Sequence, residues 1–210
     1  MADTTLSPEV AAARLGNLTA SRIADATART KTGWGASRAN LMANLVVERL
    51  TGVPMESYTN AAMLWGIEKE PEARAAYEWL FDVTVEPTGY VPHPTIKHSG
   101  ATPDGAVGTD GLIEIKCPNS ATHIETLLTK QIDERYIKQM QWQMACTGRK
   151  WVDFCTFDPR MPPELQLWTL RVPRDDKMID DMSFAVSAFL AELDEKVAAL
   201  RKLGGIEVAA

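Results

Sequence analysis

The sequence predicts an α/β (α+β mixed) fold in which helices flank a central mixed sheet. Three observations predict it. Long segments carry apolar residues at helical spacing, short segments alternate like strands, and the strand-like segments form a central run between the helical ones. With 210 residues and 45% hydrophobic content, the chain has enough apolar side chains for a sizeable core. We expect one domain over residues 1–210.

The helices are predicted from apolar residues three and four positions apart. This spacing predicts helices over 36–50, about 60–80 with a start near Asn60, 120–147 and 176–202. Pro71 lies inside the second helix and should kink or restart it.

The strands are predicted from alternation and from flanking turn residues. Short strands interrupted by Pro and Gly are expected over 83–98, followed by strands at 111–117, 151–157 and 166–172. A Pro-rich turn over 158–163 separates the last two.

Composition excludes several classes of protein. The odd set of three cysteines, Cys117, Cys146 and Cys155, has no CxxC spacing, which favours buried reduced thiols over a disulfide framework or a zinc site. The sequence has no secretory signal, and its longest nearly apolar run, 184–193, is too short to cross a membrane. We therefore expect a cytoplasmic protein with no membrane partner.

Charge is distributed unevenly along a chain with a net charge of −6. A basic segment, 11–44, carries a local +4, and an acidic segment, 175–210, carries a local −4. The two segments are either solvated faces of opposite sign, or the basic one is an anion-binding face on an otherwise acidic protein.

The stretch 100–118 combines acidic and basic residues with an apolar strand. Asp104 stands in a Pro-Asp-Gly turn. Glu114 and Lys116 share one face of the predicted strand, whereas Ile113 and Ile115 share the other and should enter the core.

Two carboxylates and a lysine in this arrangement suit metal-dependent phosphodiester hydrolysis. Hard cations such as Mg²⁺ prefer oxygen ligands, activate water and neutralise developing negative charge. A neighbouring lysine can orient the water or stabilise the transition state. The alternative interpretation is a surface turn Asp followed by a Glu–Lys pair that protects an edge strand.

The spacing of Asp104, Glu114 and Lys116 matches the PD-(D/E)xK nuclease motif, and the surrounding words extend the match. The chain resembles the phage lambda exonuclease family, also called the YqaJ-type viral recombinases, from about residue 14 to about residue 200. The words that carry this resemblance are RLGNLTAS (14–21), WGIEKE (65–70), TPDG (102–105), EIKCP (114–118), YIKQMQ (136–141) and DPRM (158–161). It implies a restriction-endonuclease-like core.

The resemblance also implies roles for individual residues of the catalytic centre. Asp104 and Glu114 would bind Mg²⁺ together with the backbone carbonyl of Ile115, and Lys116 would orient the attacking water. Glu70 would assist at a metal, although by itself it is also interpretable as a solvated helix acid.

The resemblance also implies DNA-binding roles for further residues. Arg14 and Ser21 match a pocket for the DNA 5′-phosphate, which suits the bidentate geometry of a guanidinium. Thr102 stands where relatives commonly have a phosphate-contacting Ser. Gln139 would lie near the scissile phosphate, and Tyr136 is either a DNA contact or core packing.

Other residues allow two interpretations each. Lys31 is expected to enter a DNA groove, while Trp34 either stacks on a base or packs on the protein. Met63 is expected either near the duplex end or in a helix core. His98 is expected either to contact phosphate or to lie on the surface. One departure from relatives is the segment 93–96, which has no acid to support a second metal.

The predicted function is a Mg²⁺-dependent exonuclease, with Mn²⁺ as an alternative metal. It would act on double-stranded DNA ends from the 5′ side, as a homotrimer ring working with a single-strand annealing protein. The alternatives are a structure-specific or restriction-type endonuclease and a non-catalytic scaffold that binds DNA ends.

Overall fold

The computed structural model describes residues 7–31, 33–55 and 61–205. Its described helices are α1 (Pro8–Arg14), α2 (Ile23–Ala26), α3 (Ala36–Thr51), α4 (Ala61–Phe81), α5 (Ser120–Thr129), α6 (Glu134–Thr147), α7 (Pro163–Gln166) and α8 (Asp176–Gly204). The helix start expected near Asn60 lies outside the described residues. Among the helices of the described ranges, none has both the length and the hydropathy that crossing a bilayer requires.

The strands form three groups, and the predicted mixed sheet is confirmed. Its five strands run in the order β10-β9-β8-β7-β4, beside a three-stranded sheet β1-β6-β5 and a hairpin β2-β3. The strand bounds are β1 (Leu18–Thr19), β2 (Arg29–Thr30), β3 (Gly33–Trp34), β4 (Val85–Glu86), β5 (Val91–Pro92), β6 (Ser99–Ala101), β7 (Gly105–Val107), β8 (Gly111–Lys116), β9 (Trp151–Phe157) and β10 (Leu167–Pro173).

Strand β8, which carries Glu114 and Lys116, lies in the middle of the five-stranded sheet. It pairs antiparallel with β7 and parallel with β9. The edge-strand interpretation of the Glu–Lys pair is therefore wrong. Ile113, Ile115 and Cys117 are buried in a core cluster that also includes residues of α4, as the alternation predicts. All three cysteines are buried free thiols.

The helix predicted over 120–147 is two helices, α5 and α6. Lys130 ends α5 in the left-handed conformation with φ of 57°, and Asp133 caps the next helix through its side chain. The helical spacing of apolar residues continues across the break, although Ile124 and Leu128 of α5 are exposed. Periodicity alone therefore did not reveal the interruption.

Helix α4 continues without a break through Pro71, so the expected restart is wrong. Proline removes one backbone donor and crowds the preceding turn. The turn that follows buries Ala73 and Tyr77 in the core, and this burial favours a continuous helix.

The acidic segment packs against the basic one over α3 and α8. Arg38 is buried, and its Nη2 lies 2.8 Å from Oε2 of Glu192. Arg49, just beyond the basic segment, pairs with Asp194. Part of the opposite charge of the two segments is therefore neutralised between these helices.

A buried carboxylate on β9 joins three elements and leads to a stability prediction. Asp153 accepts a hydrogen bond of 2.7 Å from the Tyr77 hydroxyl and two bonds of 2.8 Å from the Arg171 guanidinium. Removing it leaves the buried hydroxyl without its acceptor. Asp153→Ala is therefore expected to lower the free energy of unfolding by about 2–3 kcal/mol in urea denaturation.

The matched control for this variant is Asp110→Ala. Asp110 pairs with Lys150 at 2.9 Å, but the two side chains are 47% and 70% exposed. Such a pair contributes roughly 0–1 kcal/mol. Equal destabilisation by the two substitutions would show that the Asp153 network does not stabilise the fold as argued.

Candidate active site

The structure brings together Asp104, Glu114 and Lys116, which the sequence separates by up to twelve positions. Asp104 directly precedes β7, and β7 pairs with β8 so that Gly105 stands opposite Ile113. Gly105 permits a close approach here, since a Cβ would lie 2.2 Å from Cγ1 of Val85. The turn therefore places Asp104 beside the strand that carries the other two residues.

Asp104 is fixed to β8 by a backbone contact. Its Oδ2 accepts a hydrogen bond of 2.7 Å from the backbone N–H of Ile115. This bond connects the turn acid to the residue between Glu114 and Lys116. The predicted catalytic centre is thus a compact unit built from one turn and one strand.

Glu114 is fully buried and accepts from three side chains. Nε2 of Gln139 lies 2.7 Å from its Oε1, and Nε2 of Gln143 lies 2.6 Å from its Oε2. Lys116 pairs with Oε1 through its ammonium group. Buried polar groups require hydrogen-bond partners, and α6 together with β8 supplies them to this carboxylate.

The charges of the site perturb one another. Burial, and then the negative charges of Glu114 and Glu70, raise the pKa of Asp104 well above its ordinary value, although Lys116 and the Ile115 N–H oppose the shift. For Lys116, burial acts to lower the pKa, but the carboxylates of Glu114 and Asp104 outweigh it and raise the pKa overall. The acids therefore outnumber the nearby cation, a balance that favours binding of a further positive charge.

Glu70 lies beside this centre on α4 but has a partner of its own. Its Oε1 lies 3.0 Å from Nη2 of Arg74, and the same nitrogen donates to the Asp104 carbonyl at 2.7 Å. Arg74 therefore connects Glu70 to the catalytic turn. This guanidinium was not singled out in the sequence.

The donor set suits a hard divalent cation. The negative charge of Glu114 acts on the Asp104 carboxyl, and a cation bound by both carboxylates would relieve their repulsion. Across residues 7–31, 33–55 and 61–205, no group of three His, Cys, Asp or Glu side chains is arranged to hold a metal. A bound ion would therefore depend on two carboxylates, backbone oxygen and substrate phosphate.

The residues predicted to bind a 5′-phosphate are also neighbours. Arg14 and Ser21 line one cavity of about 320 Å³. Nη1 of Arg14 donates to Oγ1 of Thr102 at 2.9 Å, and Thr102 stands two residues before Asp104. The cavity and the catalytic turn are therefore connected through the Arg14–Thr102 contact.

Two further predicted residues, Lys31 and Trp34, lie on the β2–β3 hairpin. Lys31 is exposed at the turn of the β2–β3 hairpin, although its neighbour Thr32 lies outside the described residues. Trp34 packs against the guanidinium groups of Arg29 and Arg38, at 4.3 and 4.1 Å from its ring centroid. These contacts favour packing on the protein over base stacking for Trp34.

Tyr136 borders the predicted catalytic centre, whereas Met63 lies on an exposed part of α4. The Tyr136 ring lies 4.9 Å from the ammonium of Lys116 and 5.7 Å from the Phe154 ring. It therefore borders the site and also packs in the fold. Met63 is 45% exposed in the first described turn of α4, where a role near the duplex end stays a prediction.

His98 is adjacent to the N-terminal strand and not to the catalytic acids. Its Nδ1 lies 3.3 Å from Oδ1 of Asn17, and burial lowers its pKa. This environment accounts for His98 without a phosphate contact.

Gln143, like Arg74, is a contact of this site that the sequence interpretation missed. It follows Gln139 by four residues on α6, so both amides lie on one helix face. That spacing is the signal that could have identified it.

Solved structures that the chain resembles include some at substantial sequence identity. The chain is 50% identical to an alkaline exonuclease (LHK-Exo) from Laribacter hongkongensis, over 95% of this chain and 98% of that one, with a TM-score of 0.88. LHK-Exo in complex with dAMP matches over the same shares with a TM-score of 0.89. A phage related exonuclease from Haemophilus somnus 129PT matches at 16% identity over 88% of this chain and 96% of that one, with a TM-score of 0.72. At 16% identity, this last match supports a shared fold and nothing more.

The comparison with curated proteins gave no match. The model of the YqaJ-like viral recombinase domain matches residues 10–150, a range that includes the cavity lined by Arg14 and Ser21, the turn at Asp104, β8 and α6. The matched range spans more than half of the chain and agrees with the 50% identity to LHK-Exo. The protein therefore belongs to the YqaJ-like viral recombinase family.

Proposed function

We propose that the protein is a Mg²⁺-dependent exodeoxyribonuclease that digests one strand of linear double-stranded DNA from its 5′ end. The observation that carries this proposal is the convergence of Asp104, Glu114 and Lys116 beside the cavity lined by Arg14. The 50% identity to an alkaline exonuclease over almost the whole chain supports the exonuclease class. The dAMP complex of that relative agrees with release of mononucleotides.

The metal would be held by Asp104 and Glu114 with the carbonyl of Ile115, and Glu70 would assist. When bound, Mg²⁺ supplies water activation and neutralises charge on the scissile phosphate. Mn²⁺ suits the same oxygen donors. Lys116, whose raised pKa keeps it charged, would orient the attacking water or stabilise the developing negative charge.

The N-terminal residues would position the DNA end. Arg14 offers a charged fork to the terminal phosphate, and the hydroxyls of Ser21 and Thr102 offer additional donors. Lys31 on the hairpin would contact a groove of the duplex, Met63 would lie near the duplex end, and Gln139 would border the scissile phosphate. Tyr136 would contribute to the same surface.

Digestion of linear and circular duplexes with Mg²⁺ tests the reaction class. The proposed exonuclease consumes the linear duplex and leaves the covalently closed circle intact. Cleavage of both would indicate the alternative, an endonuclease with the same core. A protein that binds the linear duplex but cleaves neither would be an end-binding scaffold.

Arg14→Ala tests the assignment of the phosphate cavity. Wild-type protein is expected to prefer duplexes with 5′-phosphate over those with 5′-hydroxyl. The variant should lose this preference, because a charge-assisted contact contributes roughly 1.5–3 kcal/mol. Competition digestion of the two duplexes measures the ratio of rates.

Arg22→Ala is the matched control, because Arg22 lines the same cavity but already pairs with Asp25 at 3.1 Å. It should retain most of the preference. If Arg14→Ala favours phosphorylated ends as strongly as wild type, the phosphate is recognised elsewhere.

We further propose a homotrimer ring around the duplex. A chain of net charge −6 attracts DNA weakly through its bulk charge, and phosphate contacts set non-specific affinity. Three copies of the basic segment around one duplex would keep the enzyme on its substrate. Light scattering should give a mass about three times the 23.1 kDa of one chain, and a mass of one or two chains at all concentrations would contradict the ring.

The proposed reaction leaves a 3′ single-stranded overhang, which is the substrate of a single-strand annealing protein. We therefore propose such a protein as the partner in recombination. The setting would be the cytoplasm of a bacterial host.

A further inference from the structure

We propose that Gln143 is a positioning residue that fixes the Glu114 carboxylate for metal binding. The proposal rests on the proposed function, in which Glu114 is a metal ligand. It concerns the second oxygen of that carboxylate, because Gln139 already contacts the first. The two amides thus hold the two oxygens separately, at 2.7 and 2.6 Å.

Burial separates the roles of the two amides. Gln139 is partly exposed, so it is accessible to substrate, whereas Gln143 is completely buried. Gln143 therefore acts on the reaction only through Glu114. Its amide nitrogen must face the carboxylate, since two oxygens at this distance would repel.

The carbonyl oxygen of the Gln143 amide argues against a purely structural role for this residue. Within the described residues, its Oε1 is buried without a hydrogen-bond partner. An unpaired buried carbonyl is unfavourable for folding. An apolar side chain of similar size would avoid that penalty, so the amide is better explained by the hydrogen bond that it donates to Glu114.

Gln141 provides a contrast on the same helix. It is also buried, but its Nε2 donates to the Pro173 carbonyl at 2.8 Å and its Oε1 accepts from the Asp175 N–H at 2.9 Å. Both ends of this amide are paired with backbone groups near the start of α8. Gln141 is therefore a structural amide, and it matches Gln143 in residue type, burial and helix.

The physical consequence concerns the freedom of the Glu114 side chain. With one oxygen held by each amide, the carboxylate cannot rotate about its terminal bond without breaking a hydrogen bond. Loss of the Gln143 contact would leave Oε2 unrestrained. Outer contacts of this kind typically change metal affinity or activity by about 10–100-fold.

The experiment measures Mn²⁺ binding to the full-length protein by electron paramagnetic resonance, without DNA and without turnover. Gln143→Met removes the donor at similar volume. Gln143→Asn keeps an amide but is one methylene too short to reach Glu114. Both variants should bind Mn²⁺ about 10–100-fold more weakly than wild type, whereas Gln141→Met should bind it like wild type and melt at a lower temperature.

Thermal melting in the absence of metal completes the test. Gln143→Met leaves Oε2 of the buried Glu114 without its donor, and Gln141→Met leaves two backbone groups unpaired, so both folded variants should melt below wild type. Mn²⁺ binding within twofold of wild type in either folded Gln143 variant would overturn the proposal. Failure of both Gln143 variants to fold, with Gln141→Met folded, would overturn it as well.

The proposed metal site is tested separately by Asp104→Ala. If wild-type protein and this variant bind Mn²⁺ alike, the assignment of the metal ligands fails, whatever the Gln143 variants show. If Asp104→Ala abolishes binding and the Gln143 variants do not weaken it, only the positioning role fails.

Discussion

Glu114→Gln is expected to slow digestion of a linear duplex by about a thousandfold or more. The substitution keeps the shape of the side chain but removes the negative charge that the proposed metal site requires. It also replaces one carboxylate oxygen with an amide nitrogen. The donor that contacted that oxygen, from Gln139, Gln143 or Lys116, then loses its acceptor. Single-turnover digestion at saturating Mg²⁺ and DNA measures the loss at the chemical step.

The control is Glu86→Gln, an exposed acid on the edge strand β4, which should digest DNA at the wild-type rate. Thermal melting of each variant checks that the protein remains folded under the assay conditions. A folded Glu114→Gln protein that retains a tenth of the wild-type rate would show that another residue performs this role.

Lys116→Met is expected to reduce single-turnover cleavage by about a hundredfold to a thousandfold. Methionine retains an apolar stem that can pack against the Tyr136 ring, but it cannot orient water or stabilise negative charge. The Mg²⁺ concentration for half-maximal rate should change much less, because Lys116 is a cation and not a metal ligand. A Mg²⁺ titration of the single-turnover rate separates the two effects.

Lys150→Met is the matched control, since Lys150 is 70% exposed and pairs with Asp110 outside the active site. Its cleavage rate should equal that of wild type. If Lys116→Met lowers the rate only through a large rise in the Mg²⁺ requirement, the lysine organises the metal site and does not act on the reacting groups.

The sequence predicted the parts of the fold in which local pattern and burial agree. The alternation around Glu114 correctly predicted strand β8 and correctly placed Ile113 and Ile115 in the core. These features depend on neighbours in the chain, so they are visible in a single sequence.

Features that depend on contacts between distant elements were not predicted. The pairing of Arg38 with Glu192 joins two helices more than 150 positions apart, and the contact from Gln143 reaches a strand through the core. The break near Lys130 was hidden because apolar residues recur at helical spacing on both sides of it. In each case tertiary packing decides the outcome.

The central position of β8 has a consequence for how this sequence can change over time. Its neighbours on both sides fix its register, so a one-residue insertion within β8 before Glu114 would exchange the core face with the catalytic face. A two-residue insertion there would restore the faces but move the acid by about 7 Å along the strand. Functional relatives should therefore differ in length in the turn between β7 and β8 and not within β8 itself.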